Sequence, residues 1–215
     1  MRSGSSSRGR SRSWPAPSAV PTSSSRASTE PFVEAARRRL PGVDIQLAGA
    51  EQVPYPDGTF DLTLAALVVH FMPDPVRGLT ELARVTSAGG TVAATAWDFA
   101  GGRSPLCPFW RAARELDPAA SDESDEAGAR AGQLAQLFAA AGLRSVVTDE
   151  LSIEVGQQSF ESWWHPFTLG VGPAGAYLRG LPPAAAARLR ERCAQLLPPA
   201  PFTIRATAWI ARGLA

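Results

Sequence analysis

The stretch from Phe60 to Trp97 constrains the fold more than any other part of this sequence. Phe60 to Val69 reads as a strand, apolar enough near its end to be covered on both faces. Asp74 can then cap a helix with Pro75 at its first position, and Val76, Leu79, Leu82 and Ala83 fall on one face at helical spacing. Gly89-Gly90 supplies a left-handed exit, and Thr91 to Trp97 reads as the next strand. Strand–helix–strand alternation on this scale predicts an α/β fold with a mostly parallel sheet.

The flanking text extends that pattern. Phe32, Val33, Ala36 and Leu40 lie at helical spacing and Pro41-Gly42 stops the helix. Val43 to Leu47 alternates with period two and reads as a strand, before a turn region at Pro54, Pro56 and Asp57-Gly58. Beyond Trp97 the expected elements are a short helix from Phe109 to Leu116, a helix over Leu134, Leu137, Phe138 and Ala141 ending at Gly142, and a strand from Val146 to Val155. Two more helices, about Ser159–Leu169 and Pro183–Leu197, precede a final strand from Phe202 to Ala211. The acidic run Asp122-Glu123-Ser124-Asp125-Glu126 reads as solvated surface.

Composition removes several classes of function. All 21 basic residues are arginine, so Schiff-base lysine chemistry and the P-loop lysine are absent together. Two isolated cysteines and two histidines cannot build a disulfide framework, a zinc knuckle or a multi-histidine cage, and no metal site is expected. No apolar run approaches the roughly 18 residues of a membrane span. The net charge of +1 predicts no nucleic-acid partner.

The charge is unevenly spread, with eleven serines, five arginines and one acid in residues 1–31. So little apolar surface cannot offset ordering entropy, which predicts disorder over 1–27. A transit peptide needs an amphipathic face and a nucleic-acid arm needs interleaved aromatics, and both are missing. The favoured reading is a segment without selected role, from a misplaced start or a shifted frame.

The segment Ala50-Glu51-Gln52-Val53-Pro54-Tyr55-Pro56-Asp57-Gly58-Thr59-Phe60-Asp61 resembles a signature of class I S-adenosylmethionine-dependent methyltransferases. More narrowly it is similar to the methyltransferase type 11 group, related to ubiquinone and menaquinone C-methyltransferases. Val69-His70-Phe71-Met72-Pro73-Asp74-Pro75, then Leu79 to Val85 and Gly89-Gly90, follow at the family's spacing. Phe32 to Arg37 resembles the helix after the family's second strand, so the resemblance covers about residues 30–215.

The resemblance implies S-adenosylmethionine as cofactor, lying across the carboxyl ends of the strands, and a small-molecule methyl acceptor. Ala50 and Glu51 match the adenine-side loop, where a backbone N–H donates to the ring. Ala65, Ala66 and Leu67 match the strand end beside the methionine part. His70 and Asp98 are the catalytic candidates; a histidine titrating near neutrality suits removal of an acceptor proton. For His70 the alternative is a helix-entry histidine satisfied by backbone, and for Asp98 a cap or solvated carboxylate. Trp97, Trp163 and Trp164 match the substrate side, the last two also reading as ordinary core at helical spacing.

Other family features are absent from the sequence. No GxGxG occurs, Ala27 stands where the ribose-holding acid belongs, and Gly49 replaces an adenine-contacting Asp. The implied fold is therefore α/β, a Rossmann-like class I methyltransferase sheet with flanking helices in which strands one and two are missing. The family order 3-2-1-4-5-7-6 then leaves a gap of about 14 Å between strands three and four, so strand three docks on strand four or strand four becomes an apolar edge. The domain division is a disordered tail at 1–30 and a partial methyltransferase domain at 31–215, with lid-like helical insertions at about 103–130 and 156–200. The functional expectation is methyl transfer by a cytoplasmic, N-terminally incomplete chain with an incomplete cofactor site. Its rival is a non-catalytic fragment or interaction module.

Overall fold

A computed structural model describes residues 29–215. The expectations for residues 1–27, and for nearly all of the 1–30 tail, lie outside the described residues. In chain order the elements are α1 (Thr29–Arg39), β1 (Phe60–Ala66), α2 (Pro75–Val85), β2 (Thr86–Trp97), α3 (Cys107–Leu116), α4 (Gln133–Ala140), β3 (Arg144–Gln157), α5 (Phe160–Thr168), α6 (Gly172–Gly180), α7 (Pro183–Leu196) and β4 (Phe202–Leu214).

The described strands form one sheet in the order β1-β2-β4-β3. That matches the 4-5-7-6 part of the family order, and the fold is α/β as expected. The sheet is mixed rather than mostly parallel. Only β1 and β2 run parallel, across the α2 crossover, whereas β4 is antiparallel to both β2 and β3. Hydrophobic periodicity carries no strand direction, which is set by the end of the sheet at which the chain re-enters.

The local signals around α2 act as the sequence implies. Asp74 accepts the Arg77 N–H at 3.0 Å and Pro75 opens the helix. Leu79, Leu82 and Val85 are buried, the first two in a core cluster that also takes Ala65 and Val69 beside β1, Val92, Ala94 and Ala96 from β2, and Leu134 and Phe138 from α4. Burying one such leucine contributes about 1.5–3 kcal/mol. Strand β2 follows without a separate turn: Phe60 faces Thr86 and Leu62 faces Thr91, so the residues between them bulge, with Gly89 left-handed at φ +79°.

The expected strand at 43–47 does not form. Isolated bridges replace it, and the Ile45 carbonyl accepts the Arg37 guanidinium at 3.0 and 2.8 Å instead of a neighbouring strand. Of the two outcomes expected for β1, the second holds among the described residues: it is an edge strand, with Leu62 39% and Leu64 51% exposed. A period-two pattern makes a strand only when a partner is available.

Helices α3, α5, α6 and α7 surround a second cluster containing Phe109, Trp110, Trp163, Trp164, Phe167, Leu189 and Cys193, together with Phe202 and Ile204 of β4. Helix α6 was not expected. Its segment, GPAGAYLRG, begins and ends in glycine and lacks an apolar period.

Candidate active site

Ala50 and Glu51 are the two central residues of a turn closed by the Gln52 N–H on the Gly49 carbonyl at 3.2 Å. Ala50 is buried, its side chain packing in the first core cluster. Glu51 accepts the Asp74 N–H at 3.2 Å, tying the turn to the entry of α2. A shallow cleft of about 460 Å³ lies there, lined by Gly49, Glu51, Gln52, Pro73, Asp74 and Arg77. The segment after the turn is latched by Arg84. Its guanidinium donates to the Tyr55 carbonyl at 2.9 Å, to Glu81 at 2.7 Å and to Asp57 at 2.5 Å, while Glu81 also accepts the Val53 N–H at 2.9 Å. The hydrogen bond from Arg84 chiefly holds the Glu81 carboxyl below its usual range.

At the end of β1, Ala65 is buried, Ala66 is exposed and Leu67 is half-buried. Leu67 has φ +58°, a conformation that strains a residue with a branched side chain. Its N–H is held by both the carbonyl and the hydroxyl of Thr95, each at 3.0 Å. Such backbone persists only where the surroundings over-determine it, and here it turns the chain sharply off the sheet.

That turn delivers His70, in the 3-10 turn Val69–Phe71. His70 is 7% exposed, and its ring packs on Phe71 at 4.0 Å and edge-on to Phe99 at 5.7 Å. Nδ1 has no hydrogen-bond partner among the described residues. Burial pushes the imidazole down to about 4, so it is neutral at pH 7 rather than poised near neutrality. A backbone-satisfied ring, the alternative reading, is not what this nitrogen shows.

Trp97 is half-buried at the end of β2, opposite Ala208 of β4. The next residue, Asp98, is 1% exposed and accepts from three donors: the Gly101 N–H at 2.9 Å, Arg103 Nε at 2.5 Å and the Trp209 indole at 3.2 Å. It is neither solvated nor a helix cap. A Cβ on Gly101 would come within 2.2 Å of the carboxylate, so only glycine closes this cradle. Arg103 continues to Glu150 of β3 at 2.8 and 3.0 Å and lies over Trp209 at 5.0 Å, stitching the post-β2 loop to β4 and β3.

Trp163 and Trp164 are buried in the second cluster, away from His70 and Asp98. The structure brings His70 and Phe99 together; Phe99 also lines a cavity of about 370 Å³ bounded by α3, the loop before it and β4. Sequence reasoning passed over Trp110 on that wall, and over Glu123 behind it. Glu123 belongs to the acidic run read as solvated, yet it is buried and accepts the Trp110 indole at 2.7 Å. A carboxylate run on a loop hides its buried member, and only the buried tryptophan could have flagged it. Among the described residues no group of three or more His, Cys, Asp or Glu side chains is placed to hold a metal, and no helix is long and apolar enough to cross a membrane.

A methyltransferase domain family matches residues 27–94. Those residues span the Ala50–Glu51 turn, β1, His70, α2 and most of β2. Residues 27–94 are similar to a methyltransferase domain. Within the curated relatives, 2-methyl-6-phytyl-1,4-hydroquinone methyltransferase 1, chloroplastic, of Oryza sativa subsp. japonica is 43% identical over 60 residues, 27% of this chain and 18% of that protein. Aklanonic acid methyltransferase DauC of Streptomyces sp. (strain C5) is 33% identical over 75 residues, 35% of this chain and 34% of that one. The chain thus matches about a third or less of the length of these methyltransferases. Among solved structures the YcgJ protein from Bacillus subtilis superposes with a TM-score of 0.52 at 18% identity, covering 86% of this chain and 79% of that chain, which shows a shared fold.

Proposed function

We propose that this chain belongs to an S-adenosylmethionine-dependent methyltransferase acting on a small molecule in the cytoplasm. The observation that supports it most is positional: the family-matched segment contains both the Gly49–Gln52 turn, tied to the entry of α2, and the strained end of β1. Two free cysteines and a net charge near zero suit a reducing compartment and a small-molecule partner.

The described residues fit the cofactor along one flank. The turn at Ala50 and Glu51 is the place for the adenine side, with Ala65, Ala66 and Leu67 beside the methionine part. When bound, S-adenosylmethionine supplies a methyl group on a sulfonium sulfur. What the chain itself does is bind and orient. Glu51 is positioned by the Asp74 N–H, and Leu67 is fixed by Thr95. His70, neutral and with Nδ1 unpartnered, can accept a proton from an acceptor placed against it. Asp98 holds Arg103 and Trp209, so its contribution is to position the loop rather than to carry a proton. Trp163 and Trp164 stiffen the helical excursion that covers the acceptor side.

Titration with S-adenosylhomocysteine, followed by amide NMR, tests this reading. The chain has no GxGxG, and losing several backbone contacts and a charge-assisted bond costs about 4–6 kcal/mol, so binding is expected in the millimolar range. Residues 49–52 and 65–68 should shift together. Shifts elsewhere only, or none, would overturn the proposal.

A further inference from the structure

The cavity beside Phe99 is chemically lopsided. Phe99, Trp110 and Ile204 give it apolar walls, while Arg111, Arg114 and Arg205 all reach its lining against a single acid, Asp122. Arg114 is committed to Asp122, and Arg111 donates its Nε to Glu115 at 3.1 Å. Arg205, exposed on β4 and opposite Glu154 in the β3 pairing, makes no side-chain hydrogen bond or ion pair with any described residue. A guanidinium left without an anion beside apolar walls is an arrangement suited to a ligand that carries both a hydrophobic body and one negative charge.

Size and position narrow the ligand. The volume of about 370 Å³ is more than twice the ~150 Å³ that holds one benzene, which suits a molecule of two fused rings or similar bulk. Phe99 lines the cavity and its ring meets that of His70, whose buried Nδ1 is unpartnered among the described residues, so a molecule held against Phe99 lies on the His70 side of the pocket. Arg205 belongs to β4, an element the family-matched residues 27–94 do not include.

We infer that this cavity binds a hydrophobic monocarboxylate, with Arg205 pairing with the carboxylate while the apolar body lies between Phe99 and Trp110. That the ligand is a methyl acceptor rests on the function proposed above; that the cavity takes a hydrophobic anion does not. A carboxylate is preferred to a phosphate because one unpaired guanidinium balances one charge.

Calorimetric titration of the full chain with 1-naphthoate, 1-naphthamide and 1-naphthyl phosphate tests the inference. The naphthoate should bind one-to-one, at least tenfold more tightly than the neutral amide, and shift the Phe99 amide and the Trp110 indole N–H. Arg205→Gln should reduce naphthoate affinity about tenfold and leave amide affinity unchanged, with Arg205→Lys between the two. Equal binding of naphthoate and naphthamide to the unaltered protein, tighter binding of the phosphate, or no effect of Arg205→Gln would overturn it. If Arg205→Gln fails to fold, the comparison of the first two ligands on the unaltered chain still decides. Absence of S-adenosylhomocysteine binding would count against the methyltransferase reading and leave this comparison intact.

Discussion

Trp110 donates its indole N–H to Glu123 at 2.7 Å in a site where Glu123 is only 2% exposed. The bond joins α3 to the acidic loop and backs the wall of the cavity beside Phe99. Burial pushes the Glu123 carboxyl up to about 7, against the opposing pull of the Trp110 bond, with Glu126 and Asp122 adding to the rise.

The Glu123 carboxyl gives a pH dependence of known sign. Its folded value lies above the unfolded value near 4.5, so its contribution to stability is complete below pH 4.5 and is lost as pH rises through 7. The loss is on the order of 3 kcal/mol. Glu123→Gln keeps an acceptor for Trp110 and cannot ionise. Urea midpoints should therefore fall between pH 5 and pH 8 for the unaltered chain and vary much less for the variant; parallel profiles would show that Glu123 stays ionised throughout.

His70 gives the opposite sign. Burial holds its folded value near 4, below the ordinary histidine value of 6.5, so the stability it contributes is present above pH 6.5 and is lost as pH falls through 4. Proton NMR of the His70 imidazole should show a midpoint near 4. A midpoint near 6.5 would mean that the ring is solvated. In a complete enzyme, a rate that depends on neutral His70 would be flat above about pH 5 with respect to this group.

Asp98 and Gly101 act as one unit. Asp98→Ala strands the Trp209 indole, the Gly101 N–H and one side of Arg103, and should cost about 2–4 kcal/mol. Gly101→Ala should cost a comparable amount, because its Cβ collides with the same carboxylate. In a double-mutant cycle the two losses should fall well short of additive. Full additivity would show that the two residues act separately.

Arg84→Lys keeps a charge but not the fork that spans Glu81, Asp57 and the Tyr55 carbonyl. Amide exchange over residues 49–59 should accelerate while exchange in β2 stays slow. If α2 frayed equally, Arg84 would be supporting the helix rather than latching the loop.

What the sequence made legible was whatever local chemistry decides. Asp74, Pro75 and the apolar face of α2 contain their own instructions, and the helix follows them to the residue. The helix expected at Ser159 was equally local: Ser159 caps α5 through the Ser162 N–H at 3.1 Å. What stayed hidden depends on partners. Residues 43–47 alternate like a strand but join no strand among the described residues, and the direction of β4 is written nowhere in its own residues. In the candidate site, the positions of Ala50, Glu51 and His70 could be read from one segment. The inward turn of Glu123 depends on Trp110, 13 residues away, and the shared cavity of Arg205 and Phe99 joins positions more than a hundred residues apart.

Strands β3 and β4 are paired to their very ends, Gln157 facing Phe202. To the sheet, the whole helical excursion between them is therefore the tip of a hairpin. Closing a longer or shorter loop there changes the entropy only slowly with length, and no strand register has to shift. Residues 158–201 can be rewritten by insertion, deletion or exchange without moving the strand register, provided that the apolar cluster they share with α3, Ala120 and the start of β4 is kept. These 44 of the 215 residues can thus vary while the strand pairing beneath them is kept.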